Sequence, residues 1–205
     1  MARTPDPLLK QALLDEVVGH LAATGLGVSS LRPMALALGV STHRLVHHFG
    51  SKAELVELAL RRALAMQEDV RREWLAAEPG LSQADLLRRW WAWMLTDPAN
   101  LARVRLGFEA VCMDATVTGL EGDLRAEQIG VWRSSIEDRL VEAGLAQKDA
   151  EVEASMAKAL FTGLVMDLLA TGEVPRLTEA LERYLAERLD PLAASRLAHG
   201  GHSIR

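Results

Sequence analysis

The sequence predicts an all-α protein, with an N-terminal three-helix helix-turn-helix domain and a larger C-terminal helical domain. Three observations carry this. Apolar residues recur at i, i+3, i+4 and i+7 along nearly the whole chain. No sustained period-2 run and no Asn-Gly or Asp-Gly hairpin marks a strand. Glycines, prolines and capping residues cut the 205 residues into helix-sized pieces.

The elements follow in order. Leu9, Leu13, Val17 and Leu21 form one face of a first helix, which Gly25 and Gly27 stop. Ser29-Ser30 offers an N-cap to a second helix carrying Leu31, Met34, Ala35 and Leu38, with Pro33 tolerated in its first turn. Gly39-Val40-Ser41 makes a tight turn, and Ser41 caps a short third helix through Phe49. Ser51-Lys52-Ala53-Glu54 is a capping box that opens a fourth helix to about Ala77, before Pro79-Gly80. A fifth begins at Ser82, and Asp97-Pro98 ends it and opens a sixth, which runs past Phe108 and Val111 towards Thr116. Gly119 and Gly122 precede a helix from about Asp123 to Ala143 that Gly144 stops. Two more, roughly Lys148–Thr171 and Pro175–Ala194, flank Gly172, and His199-Gly200-Gly201-His202 reads as a loose tail. The domain boundary is expected at residues 52 and 53, with the fourth helix the only continuous element joining the two parts.

Composition narrows the function classes. With 49% hydrophobic and 25% charged residues and a formal charge of −5, disorder and collagen-like structure are excluded. The lone Cys112 cannot form an internal disulfide. Met1 to Pro7 shows no apolar run of a signal peptide. The most apolar stretch, 159–170, is interrupted by Asp167 and falls short of the roughly 20 residues a membrane span needs, so no membrane partner is expected and the cytoplasm is the expected compartment. Charge is uneven. Residues 1–52 hold Arg3, Lys10, Arg32, Arg44 and Lys52 against Asp6, Asp15 and Glu16, a balance of +2, together with four of the six histidines. The remaining 18 cations and 25 anions leave −7 elsewhere, so a small anion-meeting unit is joined to an acidic body.

Residues 30–49 have the proportions of a helix-turn-helix, whose second helix enters a major groove. On a wheel starting at Thr42, Leu45 falls near 300°, Phe49 near 340° and Val46 near 40°, while His43, Arg44, His47 and His48 lie between about 100° and 240°. The apolar arc, Val46 included, is expected to dock on the first two helices, because so short a helix is not stable alone. The opposite arc presents donors and acceptors for base edges, and Arg44 suits bidentate pairing with guanine. Lys52 and the free amides opening the fourth helix are placed for a phosphate.

The run Ser30-Leu31-Arg32-Pro33-Met34-Ala35-Leu36-Ala37-Leu38-Gly39-Val40-Ser41, followed by Leu45 and His47-His48-Phe49-Gly50-Ser51-Lys52-Ala53-Glu54-Leu55, resembles the signature of TetR-type transcriptional repressors. About 45 residues carry the resemblance, and the rest is similar only in helical character and length. It implies that Ser30, Arg32 and Lys52 contact phosphates and that Thr42, His43, Arg44 and His47 face the groove; Ser41, the cap of the third helix, and His48, on its outward arc, complete the expected DNA-binding set. It also implies a homodimer on a palindromic double-stranded operator, a small-molecule effector in the C-terminal domain and no cofactor. Three positions depart from the pattern: His43 stands for a common glycine, Arg44 for a common threonine, and Val46 for a phosphate-binding tyrosine.

Other readings compete at several residues. His43 and His47 at i, i+4 suit a metal, but no Glu follows His43 as a zincin needs and no Cys/His set completes a site, so no metal is expected. Cys112, between Val111 and Met113, reads as a buried, inert thiol in preference to a redox sensor. Trp90, Trp91, Trp93 and Met94 share one arc with Leu86 and Leu87, which fits core packing or the wall of a ligand cavity. Phe108, Cys112, Trp132, Phe161 and Met166 are further candidates for that wall. Leu160, Leu164, Leu168, Leu181 and Leu185 serve either the monomer core or a four-helix dimer interface. No Ser/His/Asp set, carboxylate pair or Gly-rich phosphate loop supports catalysis, so a helical-bundle enzyme and a protein-binding adaptor remain as rivals to a DNA-binding regulator.

Overall fold

The computed structural model describes residues 7–27, 30–112 and 122–192, with side chains from 122 to 131 outside that description. Its helices are α1 (Pro7–Thr24), α2 (Leu31–Ala37), α3 (Thr42–Phe49), α4 (Lys52–Ala77), α5 (Gln83–Thr96), α6 (Pro98–Cys112), α7 (Gly122–Glu142), α8 (Gln147–Thr171) and α9 (Val174–Tyr184). From α9 the chain continues through a π-helical turn, Leu185–Leu189, and stays helical to residue 192. The fold is all-α, and no strand occurs among the described residues. The expected run of α6 to Thr116, the break at Gly119, the end at Ala194 and the His199 tail lie outside the described residues.

The chain divides into two compact units, one of residues up to 77 together with 94–128, the other of 78–93 together with 129–205. In the first unit α1 is the central element. Its Leu13, Val17, Val18 and Leu21 share one core with Met34 of α2, Leu45 and Phe49 of α3, Leu55, Ala59 and Leu60 of α4, and Leu106 and Ala110 of α6. Burying each such leucine contributes roughly 1.5–3 kcal/mol, so the short α2 and α3 are held by tertiary packing rather than by propensity. Arg62 of α4 grips Asp15 of α1 through two hydrogen bonds, at 2.6 and 3.1 Å. Both α4 and α6 lie on α1, and Arg105 and Glu109 of α6 bond the backbone of Ala22 and Leu26.

The second unit packs α7, α8, α9 and the first part of α5 around Trp90, Trp91, Ile136, Leu140, Phe161 and Leu181. Arg88 binds Glu182 at 2.8 Å and Asp190 through 2.7 and 3.0 Å bonds, fastening α5 to the last helical stretch. Leu164, Leu168, Leu181 and Leu185 are buried here and Leu160 is half-buried, which fits the core reading of these leucines. An i+4 leucine stripe meets whichever neighbour is nearest, and that neighbour is intramolecular. What α8 exposes instead is Val152, Met156, Ala159, Gly163, Met166 and Ala170, a second stripe at alternating spacings of four and three. The stretch judged too short to span a bilayer lies within this 25-residue helix, whose mean hydropathy reaches 1.3 over an 18-residue window that is only 28% buried. Its Glu153 is fixed inside the unit by Tyr184 at 2.9 Å and Arg188 at 2.7 Å.

Candidate nucleic-acid interface

The helix-turn-helix is assembled by backbone geometry first. Ser30 has the extended backbone of an N-cap, φ −124° and ψ 156°, but its hydroxyl makes no capping bond and stays at the surface. α2 ends where Gly39 takes φ +65°, a conformation that favours glycine, and Val40 N–H returns to the Ala35 carbonyl at 2.9 Å. Ser41 then caps α3, its Oγ accepting from the Arg44 N–H at 3.1 Å. Gly50 at φ +80° ends α3, and a Cβ there would collide with the Glu54 carboxylate. That carboxylate accepts from the Ser51 N–H at 2.7 Å while Ser51 Oγ accepts from the Glu54 N–H at 3.3 Å, the reciprocal capping box the sequence predicts. The Ser51 amide holds the Glu54 carboxyl below its usual range.

The result is a short helix docked on one edge. Leu45 and Phe49 are buried among α1, α2 and α4, and Thr42, His43, Arg44 and His47 are exposed, as are Ser30, Arg32 and Ser41. Lys52, half-buried, opens α4 immediately after the turn. The rings of His43 and His47 lie nearly parallel, 6.2 Å apart, and His47 meets His48 edge-on at 5.4 Å. No group of three metal-ligating side chains occurs among the described residues.

Two side chains depart from the wheel. Val46 is 44% exposed, not docked with the apolar arc, because Leu45 and Phe49 alone complete the contact. His48 is half-buried rather than outward-facing: it packs on Phe49 at 6.0 Å, and its Nδ1 is enclosed without a hydrogen-bond partner. Burial first, then His47, Arg44 and Lys10, holds the His48 pKa below the ordinary histidine range. Lys10 is a residue that sequence reasoning missed. Its Nζ stands 5.6 Å over the Phe49 ring, bringing a cation from α1 to the edge of α3 across 39 positions that no local pattern links.

In the second unit the structure collects part of the expected aromatic wall. Trp90 meets Trp93 and Trp132, each at 5.0 Å, Trp132 meets Phe161 at 5.6 Å, and Phe161 meets Trp91 at 6.1 Å. Trp91 donates its indole N–H to Thr178 at 2.8 Å. Rings at these separations are in contact, so Trp90 and Trp91 are core, while Trp93 and Trp132 keep partly open faces. Met94, Phe108 and Cys112 belong to the first unit, and Met166 is half exposed. Cys112 is also exposed, at the end of α6, in place of the buried thiol expected from its apolar neighbours. An open groove of about 460 Å³ lies beside Val152, Met156, Glu153, Arg188 and Leu192.

No protein-family model matches the chain, and no curated protein does. Solved structures do. A protein from Saccharomonospora viridis assigned as a transcriptional regulator, solved in complex with choline, is 19% identical over 90% of this chain and 98% of its own, with a TM-score of 0.69. One from Rhodococcus sp. assigned to the TetR family is 22% identical over 88% and 97%, with a TM-score of 0.69. A TetR transcriptional regulator from Legionella pneumophila is 13% identical over 92% and 100%, also at 0.69. The chain therefore has the fold of TetR-type transcriptional regulators across most of its length.

Proposed function

We propose that this chain, with the fold of TetR-type regulators, is a sequence-specific DNA-binding transcriptional repressor that acts as a homodimer in the cytoplasm and is released from its operator by a small molecule. The observation that carries the reading is α3, anchored by Leu45 and Phe49 with Thr42, His43, Arg44 and His47 exposed together on its free face. Such a face suits base edges in the major groove. Ser30, Arg32 and Lys52 flank it as phosphate contacts, the Ser41 hydroxyl stays within reach of a phosphate while capping α3, and His48 supports the helix from behind. The activity is binding and needs neither cofactor nor metal. A second copy docks along the exposed Val152, Met156, Ala159, Gly163, Met166 and Ala170 stripe of α8, whose small side chains permit close helix approach. Two copies of α3 then meet a palindromic operator with half-sites one helical turn or a multiple apart.

Selection of duplexes from a random library with the full-length protein, followed by titration, tests the reading. Arg44→Ala should cost roughly 1–3 kcal/mol and relax preference at one position per half-site, while Lys52→Ala should weaken all duplexes alike and lower the salt slope by about 1. Enrichment of no duplex, or variants that bind like the parent, would refute it. For the effector, the partly open indole faces of Trp93 and Trp132 suit a flat or cationic molecule, the class of the choline held by the Saccharomonospora viridis protein. Choline is the first compound to titrate by tryptophan fluorescence. A true effector should weaken operator binding about 5- to 150-fold, and operator should weaken it by the same factor.

A further inference from the structure

We infer that Val46 reads the 5-methyl group of a thymine, making it a specificity-determining residue of α3. The inference rests on the DNA-binding reading above and adds to it an apolar contact. Single exposed apolar side chains are ordinary on protein surfaces, and position sets this one apart. Val46 is 44% exposed, whereas Leu45 before it and Phe49 after it are 0% and 3% exposed and complete the docking of α3. It takes no part in the core of its unit, where even half-buried Leu31, Leu38 and Val40 are packed. On the helix it lies between Thr42 and His43, one turn beyond the Ser41 cap, on the same exposed surface as the hydrogen-bonding side chains.

When that surface closes on a groove, Val46 is dehydrated with it. A valine has neither donor nor acceptor, so it satisfies no phosphate oxygen, and against a polar base edge it would leave that edge unpaired. The one apolar group that base pairs present in the major groove is the thymine methyl. Valine in a helix is held in one dominant χ1 rotamer, so its two methyl groups are already placed and little freedom is lost on contact. The match is therefore thymine opposite Val46, flanked by bases read through Thr42 and His43.

The experiment replaces each thymine of the selected operator, one at a time, by deoxyuridine, which removes the methyl group and leaves every hydrogen-bonding group in place. At one thymine per half-site the parent should bind about four-fold more weakly, the factor that burying one methyl group gives. Val46→Ala should bind the thymine operator about four-fold more weakly and no longer distinguish thymine from uracil there, while other thymines are unaffected in both proteins. Uniform tolerance of uracil by the parent, or an undiminished thymine preference in Val46→Ala, would overturn the inference while leaving DNA binding intact. A parent that enriches no duplex would overturn the DNA-binding reading and this inference with it. The uracil scan uses the unaltered protein, so it stands even if the variant folds poorly.

Discussion

Replacing Glu109 should loosen α6 from α1, and the hydrogen bonds set the size of the effect. α1 ends at Thr24, where the Gly25 N–H closes the last turn on the Leu21 carbonyl at 2.7 Å, and the next groups in line, the Ala22 carbonyl and the Leu26 N–H, are met from α6. α6 serves both kinds of group: Arg105 donates to the Ala22 carbonyl at 2.6 Å, and Glu109 accepts from the Leu26 N–H at 2.8 Å while pairing with Arg105 at 3.2 Å. Leu26 is 3% exposed, so water does not readily replace the lost acceptor. A hydrogen bond to a charged group contributes about 1.5–3 kcal/mol, and Glu109→Ala removes it and strands the amide, for a loss of about 2 kcal/mol. Glu109→Gln keeps an acceptor oxygen but loses the charge, for about 1 kcal/mol. At about 2–4 °C per kcal/mol for a chain of this size, the alanine variant should melt about 4–8 °C below the parent, with glutamine between them. Far-UV circular dichroism during heating reads this, and a cycle with Arg105→Ala should show coupling. Alanine and glutamine variants that melt within about 1 °C of the parent would show that the Glu109–Leu26 bond does not hold α6 on α1.

Two further outcomes are expected. A Cβ at Gly163 meets nothing within 4 Å, so Gly163→Glu should fold and melt like the parent yet sediment as a monomer and bind operator weakly, whereas Leu164→Glu should fail to fold; a monomeric parent or a dimeric Gly163→Glu would rule out the α8 stripe. Tyr184 is the only tyrosine, so absorbance at about 295 nm reads it alone: burial first, then the Glu153 carboxylate, raises its pKa, so its stabilising contribution is complete below the ordinary value of about 10 and is lost as pH rises through the folded value. Glu153→Gln should move that titration down, and a parent tyrosine that ionises reversibly near pH 10 while still folded would contradict the geometry.

Fold class and helix order are legible in this sequence because the signals that set them are local. The Ser51–Glu54 box closes within four residues, and Gly39, Gly144 and Gly172 adopt the positive φ that ends a helix. The anchors of α3 are legible for the same reason, since Leu45 and Phe49 lie one turn apart. What packs on what is not local. The contact between Glu109 and Leu26 spans 83 positions, and nothing in the helical pattern of α6 shows that its charged residues will serve the end of α1.

The same limit acts at the sites. Residue type placed Val46 with the apolar arc, yet whether a helix docks on a narrow or a broad arc depends on how closely α1, α2 and α4 approach it, and the narrow arc is the one realised. On α8 Leu164 and Leu168, candidates for either the core or a dimer interface, bury a large area per residue and lie in the core of their own unit. The residues left outside, Val152, Met156, Ala159, Gly163, Met166 and Ala170, are smaller or more pliable. Small side chains make a poor core but a good close-packed seam, because two backbones approach until many weak contacts form at once. In the function proposed above, a second copy laid along the small face of α8 is what places two copies of α3 on one operator, so that reading depends on the α8 face as much as on α3 itself.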